Sequence, residues 1–307
     1  MRTIIVLTPE ELSRLASLEL QARAIVEGIL SGHHHSPARG VSIEFAEHRQ
    51  YAPGDDLRHI DWKVFGRRDR YYVRQYEMES DLTCHLLLDV TESMTYQSVG
   101  TPVSKLAYAK WLLAAIGFVV IQQQDLVSLS TIDRSTARQL PAGGRLGHWQ
   151  AVVDRLKGIT PTATPARSER PFATALEQFT EQTPRRSVVV IASDCLRPLD
   201  EIRAGLQAAR SRRHDVLLWH VLDPAEWEFA FEGPVLFQGM ELLGEQLVET
   251  RSLKQAYQAE VRKFCDGLEL ACRDLRVDYH RVLTREPVDL VLRQALVERG
   301  GARSAGS

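Results

Sequence analysis

LLLDVTESM, residues 86–94, changes character within a few positions: Leu86 to Leu88 run into Asp89, and hydroxyls follow at alternate places on Thr91 and Ser93. A short apolar run that stops at turn-forming residues reads as a buried strand. VVVIASDC, residues 188–195, repeats the pattern, with Ser193 and Asp194 closing the run. Strands apolar on both faces belong in a parallel sheet covered by helices on each side.

The surrounding chain agrees. Short β-branched or apolar runs recur at Thr83 to Leu88, Leu126 to Thr131, Ser187 to Ala192, Asp215 to Val221 and Val277 to Val282. Helical patterns alternate with them: Lys105 to Gln123, His148 to Leu156, Phe172 to Glu181, Asp200 to Arg212, Leu253 to Leu275 and Val288 to Glu298. This alternation predicts an α/β fold, doubly wound around a mainly parallel sheet, over residues 82–300. An insertion at about 226–250 reads as a hairpin around Gly239 or Gly244, and 301–307 as a tail. The apolar stretch Trp111 to Ile121 is too short for a bilayer and reads as core, with Lys105 and Lys110 facing outward.

Residues 1–81 form a separate N-terminal part. Pro9 to Leu30 has the spacing of one amphipathic helix with Thr8 as its cap. The loop Ser31 to Gly40 carries His33 to His35, most simply a solvated tract. Val41 to Asp81 interleaves Arg49, Arg58, Arg67 and Arg74 with Glu44, Asp55, Asp56 and Asp61, and with Tyr51, Trp62, Phe65 and Tyr72. It is either a strand-rich flap knitted by ion pairs around the turn PGDD or a partner-docking surface, since arginine and aromatics anchor interfaces.

With 38 basic against 40 acidic side chains, no overall field favours nucleic acid or anionic membrane. Met1 to Glu10 lacks a cleavage signature, so the expected location is cytoplasmic. The four cysteines contain no CxxC pair and read as reduced, packed thiols.

Ligands of open α/β sheets sit at the carboxyl ends of the strands. The candidate site is therefore Asp89, Thr91 and Ser93 with Asp194. Carboxylates and hydroxyls at a rim suit a hard divalent ion such as Mg²⁺ or Mn²⁺, whereas capping of turns is the simpler use of Asp and Ser.

EFAEHRQYAPGDDLRHIDWKV, GRRDRYYVRQYEMESDL, LLLDVTESM, VVVIASD and HDVLLWHVLDPAE together resemble the bacterial and archaeal family called domain of unknown function 58. The resemblance runs from about Leu15 to about Arg299. It implies a von Willebrand factor A-like domain carrying a metal-ion-dependent adhesion site, whose Asp-x-Ser-x-Ser motif falls on Asp89, Thr91 and Ser93 and whose last acid falls on Asp194. The motif's second-loop threonine falls on Arg170, with Thr160, Thr162, Thr164 and Ser168 nearby. The resemblance further implies a non-catalytic adaptor that binds proteins, a MoxR-type AAA+ ATPase and its clients, in complex assembly or maturation. The chain has no phosphate loop of its own. The rival expectation is a metal-dependent phosphatase with Asp89 as nucleophile, in which Thr91 would replace the carboxylate needed as acid and base. A scaffold with a degenerate metal site is the third.

Overall fold

Fully apolar strand runs need covering on both faces, and the architecture follows from that requirement. The computed structural model describes residues 7–31, 45–50, 72–76, 82–132, 138–161, 172–229, 234–238 and 245–304. It divides into two units, residues 33–82 and the remainder.

The larger unit contains helices α1 (Pro9–Ser13) and α2 (Leu18–Ser31), then strand β3 (Thr83–Asp89), helix α3 (Lys105–Gln122), β4 (Leu126–Ile132), β5 (Arg138–Gly143), α4 (Leu146–Gly158) and α5 (Phe172–Glu181). It continues with β6 (Val188–Ser193), α6 (Leu199–Ser211), β7 (Asp215–Leu222), the short α7 (Pro224–Glu228), the pair β8 (Pro234–Gln238) and β9 (Glu245–Glu249), α8 (Thr250–Asp274), β10 (Asp278–Leu283) and α9 (Val288–Ser304). In the smaller unit, β1 (Phe45–Gln50) pairs antiparallel with β2 (Tyr72–Tyr76), with a register shift between Phe45 and Glu47.

Six strands form one sheet in the order β10-β7-β6-β3-β4-β5. All neighbours are parallel except β4 and β5. Counted within this sheet, the order is 3-2-1-4-5-6, that of a doubly wound fold. The chain leaves β3 toward β4 on one side and later returns to β6 on the other. Between β3 and β6 lies the switch point, where connections depart in opposite directions and open a crevice at the carboxyl ends.

Alternate strand residues supply the two cores. Leu87, Val189, Ile191, Val216 and Leu218 pack with Phe172 and Leu176 of α5, Ile202 and Leu206 of α6, and Leu268 and Cys272 of α8. On the opposite face lies α3, so close that a Cβ on Gly117 would sit 3.2 Å from Leu86 Cδ1. Over its 18 residues α3 is apolar enough to span a bilayer by composition alone, but 78% of that window is buried here. A helix apolar all round is a core helix when something covers its outer side. Here α2, α4 and α9 do so.

Several elements differ from the sequence expectation. The N-terminal helix is two helices, because Ser17 Oγ accepts the Leu20 N–H at 3.3 Å and starts a second one. Gln21 fastens the break: its amide donates to the carbonyls of Leu12 and Leu15, and its oxygen accepts the Trp111 indole N–H at 2.7 Å. Helices α1 and α2 accordingly belong with the sheet, not with the 33–82 unit. Strand β5 falls in a stretch to which the sequence patterns assign no element; as an edge strand it tolerates Pro141. Lys105 does not face outward: it is 1% exposed. Lys110 is half-buried, its ammonium donating to the Ile159 carbonyl at 2.8 Å. All four cysteines are buried thiols not joined in a disulfide. His33 to His35, the PGDD turn, Arg170, Thr162, Thr164 and Ser168 lie outside the described residues.

Candidate functional site

Parallel pairing in register sets Leu88 of β3 beside Ala192 of β6. The next residues, Asp89 and Ser193, therefore meet across the switch point. Ser193 Oγ donates to Asp89 Oδ2 at 2.6 Å, and the Thr91 N–H donates to Asp89 Oδ1 at 3.0 Å. Thr91 and Ser93 share a hydroxyl hydrogen bond of 3.1 Å at the head of a 3-10 turn, Glu92–Thr95. Ser93 in turn hydrogen-bonds Asp194. All four residues expected from sequence thus converge, and each is buried.

Cys195, in the left-handed region at φ 52°, turns the chain sharply after β6. That turn lets Ser193 Oγ accept the Cys195 N–H and Asp194 Oδ1 accept the Leu196 N–H. Burial pushes the Cys195 thiol well above its ordinary value, so it stays protonated and is no nucleophile.

Sequence reasoning missed the side chain that dominates this site electrostatically. Lys105, at the first position of α3, sends its ammonium to Asp194 Oδ2 at 2.9 Å and to Glu226 Oε1 at 2.6 Å. A lysine there opposes the helix dipole, which favours anions at the N-terminus. Two carboxylates compensate it. Glu226 is held from behind by a capping box, its Oε2 accepting the Asp223 N–H at 2.8 Å. Asp223 caps α7 through Ala225 N–H and reaches back to Ser98 N–H at 3.0 Å and the Thr101 hydroxyl at 3.3 Å. The chain between β3 and α3 is thereby tied to the end of β7.

The charges respond to this setting. Burial raises the Asp89 carboxyl above its usual range and the nearby Asp194 adds to the rise, opposed by Arg197, Ser193 and Thr91. Burial alone would raise Asp194 as well, but the charge and hydrogen bond of Lys105, with Ser93 and the Leu196 N–H, carry it below its ordinary value. For Lys105, burial is outweighed by Asp194 and Glu226, and the ammonium is held charged. Glu226 stays raised, burial outweighing Lys105. Burial lowers His220 to about 4. Its Nε2–H therefore donates to the Asp194 carbonyl at 3.0 Å, and its Nδ1 accepts the Tyr279 hydroxyl at 2.8 Å.

Beside the charged cluster is a cavity of about 500 Å³, lined by Lys105, Leu196, Arg197, Tyr257, Val261 and Phe264 among others. At its rim Leu196 is 69% exposed. Arg197 lies over the Phe172 ring at 5.5 Å. A groove, an exposed leucine and an arginine are the ingredients of a binding surface.

An uncharacterized protein of Mycobacterium bovis is 29% identical over 233 residues, covering 76% of this chain and 72% of its own. An uncharacterized protein of Mycobacterium tuberculosis matches to the same extent. Among solved structures, BatB from Bacteroides thetaiotaomicron is 16% identical with a TM-score of 0.46, covering 71% of this chain and 98% of its own. An aerotolerance-related membrane protein from Bacteroides fragilis is 17% identical at 0.47, covering 72% and 99%. The SpRpn10 VWA domain is 10% identical at 0.40, covering 69% and 94%. The fold assignment rests on the strand order above. None of these descriptions names a catalytic activity. Residues 47–264 match the profile of the family "Protein of unknown function DUF58". With most of its length inside that match, the chain belongs to the DUF58 family.

Proposed function

We propose that this protein is a non-catalytic, cytoplasmic adaptor that binds partner proteins at the carboxyl ends of β3 and β6 and works with a MoxR-type AAA+ ATPase in complex assembly or maturation. One observation carries the non-catalytic part: both oxygens of Asp89 accept internal hydrogen bonds and its carboxyl is fully buried. A nucleophilic carboxylate needs a free oxygen aimed at substrate, and a general acid and base beside it. Thr91, the neighbour that would have to serve, has only a hydroxyl. The rim of Leu196 and Arg197 beside the cavity supports protein binding, because an arginine and an apolar anchor at a groove are what partner surfaces engage.

Mg²⁺ or Mn²⁺, which the resemblance implies, would be held by Asp89, Thr91, Ser93 and Asp194. As folded, these residues disfavour one: each oxygen of Asp89 and Asp194 already accepts a hydrogen bond, and the buried Lys105 ammonium on Asp194 would repel a divalent ion. The adaptor reading does not depend on the ion.

The test is co-purification of the tagged full chain from its own cells, followed by binding of the purified ATPase. The expected result is a complex that Leu196→Asp or Arg197→Glu weakens at least tenfold, with no turnover in a phosphatase screen. Turnover abolished by Asp89→Asn would replace this reading with the enzyme. Recovery of the chain in the membrane fraction without a detergent-soluble partner would refute the location.

A further inference from the structure

A doubly wound sheet with two carboxylates at its switch point carries a charge problem, which an ion from solution would solve from outside. This chain solves it from within. The Lys105 ammonium is 1% exposed and lies 2.9 Å from Asp194 Oδ2, in contact with the acid that closes the expected metal motif. Its second carboxylate comes from the opposite wall, Glu226 Oε1 at 2.6 Å. The Tyr96 ring lies on a further side, its centroid 5.8 Å from Nζ. Around one buried positive centre stand an acid from the sheet, an acid from a helix cap and an aromatic face.

We infer that Lys105 is the resident cation of this site and Glu226 its internal acidic ligand, so that the site is assembled around an ammonium and not around a divalent metal. The geometry carries this in three steps. Both oxygens of Asp194 are already engaged inside the protein, Oδ1 by the Leu196 N–H and Oδ2 by the ammonium, so an external ion would have to compete with both. An ion at Asp194 would share a buried carboxylate with a buried ammonium, a like-charge contact in low dielectric. Finally, Glu226 is not a loose surface acid that drifted onto Lys105. Its other oxygen is committed to the Asp223 N–H, and Asp223 in turn holds Ser98 and Thr101. The second ligand is thus built into the same network that fixes the approach to α3. The inference is independent of which partner the protein binds, and stands or falls whether or not an ATPase is recovered.

The experiment titrates the full chain, stripped with EDTA and dialysed, with MgCl₂ and MnCl₂ by calorimetry. Parallel thermal melts compare EDTA, 5 mM Mg²⁺ and a KCl control of matched ionic strength. Wild type is expected to give no saturable heat and no melting shift beyond the KCl control. Saturable one-to-one binding, with a shift that Asp89→Asn removes, overturns the inference. Lys105→Met is expected to uncover a cation site between Asp194 and Glu226. Its melt should then rise by about 3–6 °C at a tenfold excess of ion over its dissociation constant. A Lys105→Met protein that folds and ignores both ions shows that the ammonium was not standing in a cation site, and the inference falls. Should that variant not fold, wild type and Glu226→Gln decide: the latter keeps Lys105 on Asp194 and should remain silent to metal, and a metal response from it overturns the inference.

Discussion

Replacing Lys105 by methionine keeps most of the aliphatic stem and deletes only the ammonium, so the resulting loss of stability measures what that charge does. In the folded protein Lys105 and Asp194 are 1% and 2% exposed at their side chains, so neither is rescued by water when its partner goes. Breaking a buried pair by removing one member costs about 3–5 kcal/mol, mostly the uncompensated charge left behind. The contact to Glu226 adds little, since Glu226 is 23% exposed and solvent screens it. At roughly 2–4 °C per kcal/mol for a large domain, the melting temperature should fall by about 6–20 °C. Urea denaturation followed by far-UV circular dichroism is the assay, read as a lower midpoint at unchanged slope. The same reasoning requires compensation: Lys105→Met combined with Asp194→Asn and Glu226→Gln removes the charges together and should recover more than half of the loss. A single variant that loses less than about 1 kcal/mol, as a surface ion pair would, refutes the claim that Lys105 is buried against Asp194.

Asp223→Ala removes the cap of α7 and the acceptor for Ser98 and Thr101; it should cost about 2 kcal/mol or more and speed proteolysis between Tyr96 and Ser104, and unchanged cleavage there would show that the clamp is idle. Gly205→Val places a Cβ 2.9 Å from Leu176 Cδ1 and 3.3 Å from Ala173 Cα, where α5 and α6 pack; overpacking of about 1–3 kcal/mol is expected in denaturant, and near-wild-type stability would mean the helices slide apart freely. Burial lowers His220 to about 4, below the ~6.5 of an unfolded chain, so its contribution is complete above pH ~6.5 and is lost as pH falls toward 4. The slope approaches about 1.4 kcal/mol per pH unit, and His220→Gln should flatten the acid loss by up to that amount across urea melts from pH 7 to 4.5.

How much of this could be read in advance depends on whether the signal is local. Strands β3 and β6 were legible because an apolar run stopped by Asp89 or Asp194 is a feature of a few consecutive residues, and the site followed because doubly wound sheets bind at their carboxyl ends. Strand β5 was hidden, since Pro141 and Gly143 look like loop and only its edge position makes them tolerable. The break at Arg14 to Ser17 was hidden too, because leucines on either side keep a helical spacing through it, although Ser17 was there as a cap. Lys105 is the instructive miss. Facing outward was inferred from periodicity, but α3 is apolar on every side and periodicity assigns no face to such a helix. Its partners lie 89 and 121 residues further along, in elements that no window around Lys105 includes. One local clue did exist: a cation at the first helical position, with no acid in that turn, sits at the unfavourable end of the helix dipole. Such a lysine is either solvated or met by carboxylates from elsewhere. In a chain whose apolar run at 188–193 is closed by Asp194 and whose DPAE box presents Glu226, the second alternative was available from the sequence, and the fold realises it.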